Sequence, residues 1–315
     1  MEVPLTPLEF ARRTRHLHGH RTAVIDGDLR LTYEQFFGRC DRWSAALQGL
    51  GVRAGDRVAT IAPNTHAQLE SFYAVPQIGA VLVPINYRLT ADDFVYIIGH
   101  SGASVVCAHS DYLDALDAAR DQLPGVRHFV AFEGGPRDGW VDYETAIAGA
   151  RPDPERPEIA ERDLLTINYT SGTTARPKGV MITHRNAAIN TIGTLIHLTI
   201  GVGERYLWTL PMFHANGWTF VWIVTAVGGT HLCLRKVEPR AIFTTIRDEQ
   251  ATLLCAAPTV LIGIANAPAD VRSILVAEAP TNGATHEAAA NQSQSRWPFR
   301  RRPPPRRGRT TRHRS

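Results

Sequence analysis

Cysteine is scarce in this 315-residue sequence and widely scattered: Cys40, Cys107, Cys233 and Cys255 sit far apart in apolar surroundings, with no CxxC pair. That spacing excludes a small disulfide scaffold and reads as buried free thiols in a reducing compartment. Long apolar runs are missing too. The most apolar stretch, residues 218–227, is about half of the roughly 20 residues that span a bilayer, so it is expected to be a core helix. The amino terminus carries Glu2, Arg12, Arg13 and Arg15 without the apolar stretch and cleavage site of a secretory signal, and a cytoplasmic location is expected. Acidic residues are absent after Glu287, while nine arginines fall between Arg296 and Arg314. The remainder holds 25 basic against 30 acidic residues, so the formal charge of +4 belongs to the tail, and nucleic acid is not expected as a partner of the body.

With 44% hydrophobic and 20% charged residues, the chain is globular in composition and long enough for two core-bearing units. Short β-branched runs at residues 23–25, 57–62, 81–85, 105–108 and 128–132 alternate with helical periods, which predicts an α/β fold of layered sheets flanked by helices. In the first helix, Tyr33, Phe36, Phe37, Cys40, Trp43, Leu47 and Leu50 recur at steps of three and four, Thr32 and Gln35 form a capping box, and Gly51 supplies the stop. Further helices are expected over residues 66–78, from Thr90, and near Tyr143. Residues 134–163, rich in Pro, Gly and charge, read as a surface connection, which puts one subdomain at residues 1–160 and a second at 161–280. In the second, strands at 164–169, 179–183, 206–210, 230–234 and 252–256 alternate with helices at 184–198, from about Gly217, at 239–249 and from Pro258. Residues 281–315 lose all apolar periodicity and are expected to be a disordered Arg/Pro-rich tail.

The chemistry concentrates in residues 170–179, Thr-Ser-Gly-Thr-Thr-Ala-Arg-Pro-Lys-Gly. Small residues let a backbone turn approach a polyphosphate closely: Thr170, Ser171, Thr173 and Thr174 offer hydroxyls, Gly172 the turn and Lys178 a mobile positive charge. An ordinary Ser/Thr/Gly hairpin is the bland alternative for a short piece of this stretch. It is not a Walker A loop, because no Gly-Lys-Ser/Thr ends it. Further on comes Leu-Pro-Met-Phe-His-Ala-Asn-Gly-Trp at residues 210–218. Taken alone, His214 reads as a helix cap or core residue, and Trp218, Phe220, Val221 and Trp222 as core aromatics and aliphatics or an apolar slot.

Together the two segments resemble the signatures of the adenylate-forming superfamily, YTSGTTGxPKGV and PMFHxNGW, in the form found in acyl-CoA synthetases. Scaffold segments around Gly55, Asn64 and Asn86, and the Met-Ile-Thr-His-Arg-Asn stretch at 181–186, are similar to the same family, so the resemblance runs over about residues 22–275. Thr183 or Asn186 is expected to cap the next helix. The resemblance implies the N-terminal domain of a ligase that uses ATP, Mg²⁺ and coenzyme A to activate a carboxylic acid, a fatty acid in particular, through an acyl-adenylate. It also implies that Thr170, Ser171, Gly172, Thr173, Thr174 and Lys178 hold the phosphates, that His214 and Lys178 serve the chemistry, and that His214, Asn216, Gly217 and Trp218 face the acid. No side chain is assigned as a metal ligand. Ala175 stands where the family has Gly or Ser, so a position that needs φ > 0 would be strained.

The family's Tyr-Gly-x-Thr-Glu and Thr-Gly-Asp segments and its C-terminal lysine do not occur in this sequence. Residues 274–280 resemble the strand entering the adenine pocket, with Glu278 where Gly is usual, and the composition then shifts as a frameshift in a GC-rich frame would shift it. The domain is therefore expected to be incomplete and its turnover impaired. Two further readings stay open: a non-catalytic remnant or split half that needs a partner chain for the missing C-terminal domain, and a polyanion-binding protein acting through its arginine tail.

Overall fold

Strands that are apolar on both faces need cover on both sides, and the computed structural model, which describes residues 3–170 and 176–275, supplies it in layers. The strands are β1 (Thr22–Asp26), β2 (Leu29–Thr32), β3 (Arg57–Ile61), β4 (Val81–Ile85), β5 (Ala103–Ala108), β6 (His128–Ala131), β7 (Val141–Asp142), β8 (Leu164–Thr170), β9 (Lys178–Thr183), β10 (Arg205–Leu207), β11 (Thr230–Leu232) and β12 (Leu253–Leu254). The helices are α1 (Pro7–His18), α2 (Tyr33–Gly49), α3 (His66–Ala74), α4 (Ala91–Ser101), α5 (Leu113–Ala118), α6 (Tyr143–Gly149), α7 (His184–His197), α8 (Ala215–Trp218), α9 (Phe220–Ala226), α10 (Pro239–Asp248), α11 (Pro258–Ala265) and α12 (Ala269–Arg272).

A seven-stranded sheet runs β7-β6-β5-β3-β4-β8-β9, parallel except for the antiparallel edge pair β8–β9. A five-stranded sheet runs β12-β10-β11-β1-β2, with β2 alone antiparallel. Between the sheets lies the largest core, where Phe36, Trp43, Leu69, Phe72 and Trp222 of the helices meet Val58, Leu82 and Val105 of one sheet and Val24 and Tyr206 of the other. The outer face of the larger sheet is covered by Phe94 and Ile98 of α4 and Leu116 of α5, and that of the smaller by Ile242 of α10 with Val260 and Ile264 of α11.

The capping box expected at Thr32–Gln35 is formed, the cap expected at Thr183 or Asn186 is a box made by both, and Thr90 is boxed by Asp93. Other elements differ from expectation. Helices α1, α5 and α12 and strands β2 and β7 add to the predicted set, and the helix expected over residues 66–78 ends at Ala74, with a 3-10 turn at Pro76–Ile78. Ile274 and Leu275 belong to a 3-10 turn, Ser273–Leu275, and not to a strand; residues 276–280 and the expected disordered tail lie outside the described residues. Each sheet takes strands from both sides of residue 160, so the connection there does not separate sheets. All four cysteines are free, with Cys255 only half-buried. Among the described residues, no helix is long and apolar enough to cross a membrane.

Every residue of α3 is buried, polar ones included, because the helix is enclosed between the sheets. Its charges are paired accordingly. The fully buried Glu70 accepts hydrogen bonds from the Tyr143 hydroxyl and from Arg39 Nε at 2.6 Å, while Arg39 also reaches Glu144 at 2.7 Å. At the start of α3, His66 Nδ1 lies 2.7 Å from Asp26 Oδ2 and its ring Nε2 3.4 Å from Glu144. Burial pulls the His66 pKa down, but Asp26 and Glu144 outweigh it and raise it to about 9. Burial pushes the Asp26 carboxyl up, and hydrogen bonds from His66 and Arg235 more than reverse that, to about 2.

Because the folded His66 pKa lies above the ordinary imidazole value of 6.5, its stabilising effect is complete below about pH 6.5 and lost as pH rises through about 9. The Asp26 contribution is present above the ordinary carboxyl value of 3.8 and lost as pH falls towards 2. Thermal melts between pH 6.5 and 9.5 are expected to fall more steeply for the wild type than for His66→Gln; parallel profiles would contradict the assignment. Arg39→Ala, which strands the Glu70 carboxylate, is expected to cost about 3–5 kcal/mol in urea unfolding.

Candidate phosphate and acid site

The hairpin β8–β9 carries the glycine- and hydroxyl-rich loop. Thr170 pairs with Lys178 at its mouth, both side chains are exposed, and the loop between them leaves the carboxyl end of β8, a strand parallel to β4. Open α/β sheets bind ligands at that end of their strands. Ser171, Gly172, Thr173, Thr174 and the substituted Ala175 lie outside the described residues. The stems of the loop are buttressed from α4: the Tyr169 hydroxyl is 2.7 Å from His100 Nδ1, the Tyr96 hydroxyl donates to the Pro177 carbonyl at 3.3 Å, and the Arg176 guanidinium lies 5.1 Å from the Tyr96 ring centroid. Gly179 faces Tyr169 across the hairpin, and a Cβ there would sit 2.9 Å from Ile167 Cγ2 and 3.2 Å from Tyr169 Cζ. The missing side chain lets the Tyr169 ring lie over the neighbouring strand.

The His214 segment starts in the other sheet. After β10 the chain is taken over by buried Asn64, which follows β3: its Nδ2 donates to the carbonyls of Trp208 (3.0 Å) and Leu210 (2.9 Å), and its Oδ1 accepts from the Met212 amide (2.9 Å). Asn168 of β8 takes the next step, donating from Nδ2 to the Phe213 carbonyl at 2.9 Å and to Asn216 Oδ1 at 3.0 Å. Asn216 Nδ2 donates to the Thr166 hydroxyl at 3.0 Å, and that hydroxyl donates to Asn168 Oδ1 at 2.9 Å.

Where a regular helix was expected to begin near Gly217, the backbone is left-handed at Ala215, Asn216, Gly217, Trp218 and Thr219, with φ of 43, 49, 57, 56 and 67°. Regular helix begins at Phe220. Each non-glycine residue in that conformation costs about 1–2 kcal/mol. Gly217 is required on a second count, since a Cβ would lie 2.4 Å from Trp208 Cζ3. At the far end of the turn the Thr219 hydroxyl donates to Asn190 Oδ1 of α7 at 2.5 Å.

This geometry distributes the acid-side residues differently from expectation. His214 is exposed, Asn216 and Gly217 are buried, and Trp218 is 65% exposed. Phe220, Val221 and Trp222 line no open slot: they fill the central core, Phe220 stacked on Tyr206 at 4.6 Å and Trp222 edge-on to Phe72 at 6.2 Å. Asn64, Thr166 and Asn168 escaped the sequence reading as site residues. Thr166, Asn168 and Thr170 are polar at alternate positions of an apolar strand, so they share one face; that period was the available signal.

Asp26, His66 and Glu133 come close enough to suggest a metal cluster, with ligand atoms within 4.8 Å. Their donors are already engaged, because Arg235 bonds Asp26 at 3.2 Å and Glu133 at 2.6 Å and His66 carries a proton at neutral pH.

The fold is that of the N-terminal domain of adenylate-forming enzymes: the N-terminal domain of FACL13 from Mycobacterium tuberculosis is similar with a TM-score of 0.77 at 28% identity, over 84% of this chain and 65% of that one. The chain belongs to the AMP-binding enzyme family, whose model matches residues 10–295. It is similar to the acetate–CoA ligase CCL3 of Humulus lupulus, 36% identical over 84% of this chain and 50% of the relative. The peroxisomal benzoate–CoA ligase of Arabidopsis thaliana is 38% identical over 82% of this chain and 47% of the relative. The chain thus spans about half the length of the curated relatives it matches.

Gly217→Ala adds a clash with Trp208 to a left-handed backbone. It is expected to destabilise the chain by about 2–4 kcal/mol in denaturant unfolding, and a loss below about 0.5 kcal/mol would show that the turn relaxes freely.

Proposed function

We propose that this chain provides the phosphate- and acid-binding part of an AMP-forming acid–CoA ligase. The observation that carries the reading is the placement of Thr170 and Lys178 at the mouth of a hairpin whose own strand, through Asn168, holds the segment bearing His214. In the proposed reaction a carboxylate oxygen attacks the α-phosphorus of ATP, the bond to the bridging oxygen breaks, and pyrophosphate leaves with both electrons. A thiol of coenzyme A then displaces AMP from the acyl carbon and gives up its proton to solvent. Lys178 would neutralise charge on the departing phosphates, and the exposed His214 imidazole would orient the acid; positioning and charge stabilisation supply the acceleration.

The exposed lysine and threonine at a strand's carboxyl end fit a polyphosphate. Among the described residues, no free carboxylate cluster fits Mg²⁺. The likeness to acetate– and benzoate–CoA ligases supports a compact carboxylic acid over a long fatty acid.

Acid-dependent exchange of labelled pyrophosphate into ATP tests the reading. Acetate or benzoate is expected to support exchange in the wild type at least about tenfold better than a long-chain acid, and Lys178→Ala to lower it by about 10²-fold or more. A folded wild type without acid-dependent exchange would overturn the proposal, and equal exchange with a long-chain acid would overturn the compact-acid part.

A further inference from the structure

The ring of hydrogen bonds beneath the site has a fixed direction. The Phe213 carbonyl can only accept, so the atom of Asn168 facing it is the amide nitrogen, which leaves Asn168 Oδ1 to accept from Thr166. Asn216 must then turn its oxygen to Asn168 and its nitrogen to Thr166. Each donor in the ring meets an acceptor, and all three side chains are buried, Thr166 wholly, Asn168 and Asn216 at 5% and 1% exposure. One side of the ring is the strand that runs into the phosphate loop. The other is the left-handed turn that follows His214, and Asn is among the few residues with a side chain that adopt that conformation readily.

We propose that Asn216 is a positioning residue that, with Asn168 and Thr166, locks the His214 segment to the phosphate hairpin so that the two move as one unit. The role in turnover rests on the ligase reading above; the mechanical coupling does not. A closed ring of buried hydrogen bonds resists partial opening, because freeing one member leaves the others unpaired in a medium that cannot solvate them. The left-handed turn is held by this ring at Asn216 and by Asn190 at Thr219, two points that fix where His214 emerges.

Asn216→Gly separates the amide from the backbone, since glycine keeps the left-handed turn at no steric cost and removes only the side chain. Thr166→Val removes the hydroxyl at nearly constant shape and serves where the glycine variant folds poorly. Amide hydrogen exchange on the full chain is the readout that does not depend on activity. In either variant, exchange is expected to accelerate at least about tenfold both at residues 213–219 and at the hairpin ends around Tyr169, Thr170 and Lys178, and the double variant to be no worse than the more severe single one. Acceleration confined to residues 213–219, or none, would overturn the coupling. In acid-dependent pyrophosphate exchange, the variants are expected to lose about 10–100-fold in kcat with KM for ATP within about threefold, as misplacement of a bound group does. A rise in KM for ATP with kcat unchanged would overturn the positioning role. Coupled exchange in a chain that shows no acid-dependent turnover would support the lock and count against the ligase reading alone.

Discussion

Two asparagines carry the backbone between Trp208 and Phe213 from one sheet to the other. A chain that leaves a parallel sheet into a buried space must find partners for its amides and carbonyls, and here they come from Asn64 behind β3 and Asn168 within β8. Asn168 belongs to the seven-stranded sheet and Asn64 to the loop that follows its strand β3, whereas the captured segment issues from the five-stranded one. The segment that holds His214 is thereby referenced to the strand that leads into the candidate phosphate loop, and the candidate site becomes a property of the joint between sheets.

The joint carries strain. Ala215, Asn216, Trp218 and Thr219 all adopt left-handed backbone that glycine alone takes without cost, and they do so in succession with Gly217. Such conformations persist where surroundings over-determine them. Here Asn216 is anchored in a buried ring, Thr219 is held by Asn190, and Gly217 is pressed against the Trp208 ring. In the same interface the polar residues of α3 show the complementary solution, the buried Glu70 and His66 being paired with the half-buried Arg39 and the buried Tyr143 and Asp26.

Local signals were legible in the sequence wherever the relevant partner lies a few residues away. The capping box of Thr32 with Gln35, the cap at Thr183 and the β-branched runs of the larger sheet are of this kind. Helix α1 is not legible in the sequence although Thr6 caps it and Pro7 opens it, because its many arginines and histidines mask a narrow apolar stripe. The strand β2 is only four residues long and follows Gly27 in a tight turn, too short for a period to show. The left-handed turn was illegible for a different reason: four of its five residues are not glycine, and what holds them lies about fifty positions earlier, in Thr166 and Asn168. For the same reason Trp218 and Phe220, adjacent in the motif, part company, one exposed and the other in the core.

The central claim is that the phosphate hairpin and the His214 segment form one binding unit in this chain. Titrating the 315-residue chain with Mg-ATP while following backbone amide resonances tests it most directly. The account predicts that Thr170, Lys178 and the amides from Phe213 to Thr219 shift together along a single saturation curve. Shifts confined to the arginines between Arg296 and Arg314, or a hairpin that responds while the His214 segment does not, would contradict it.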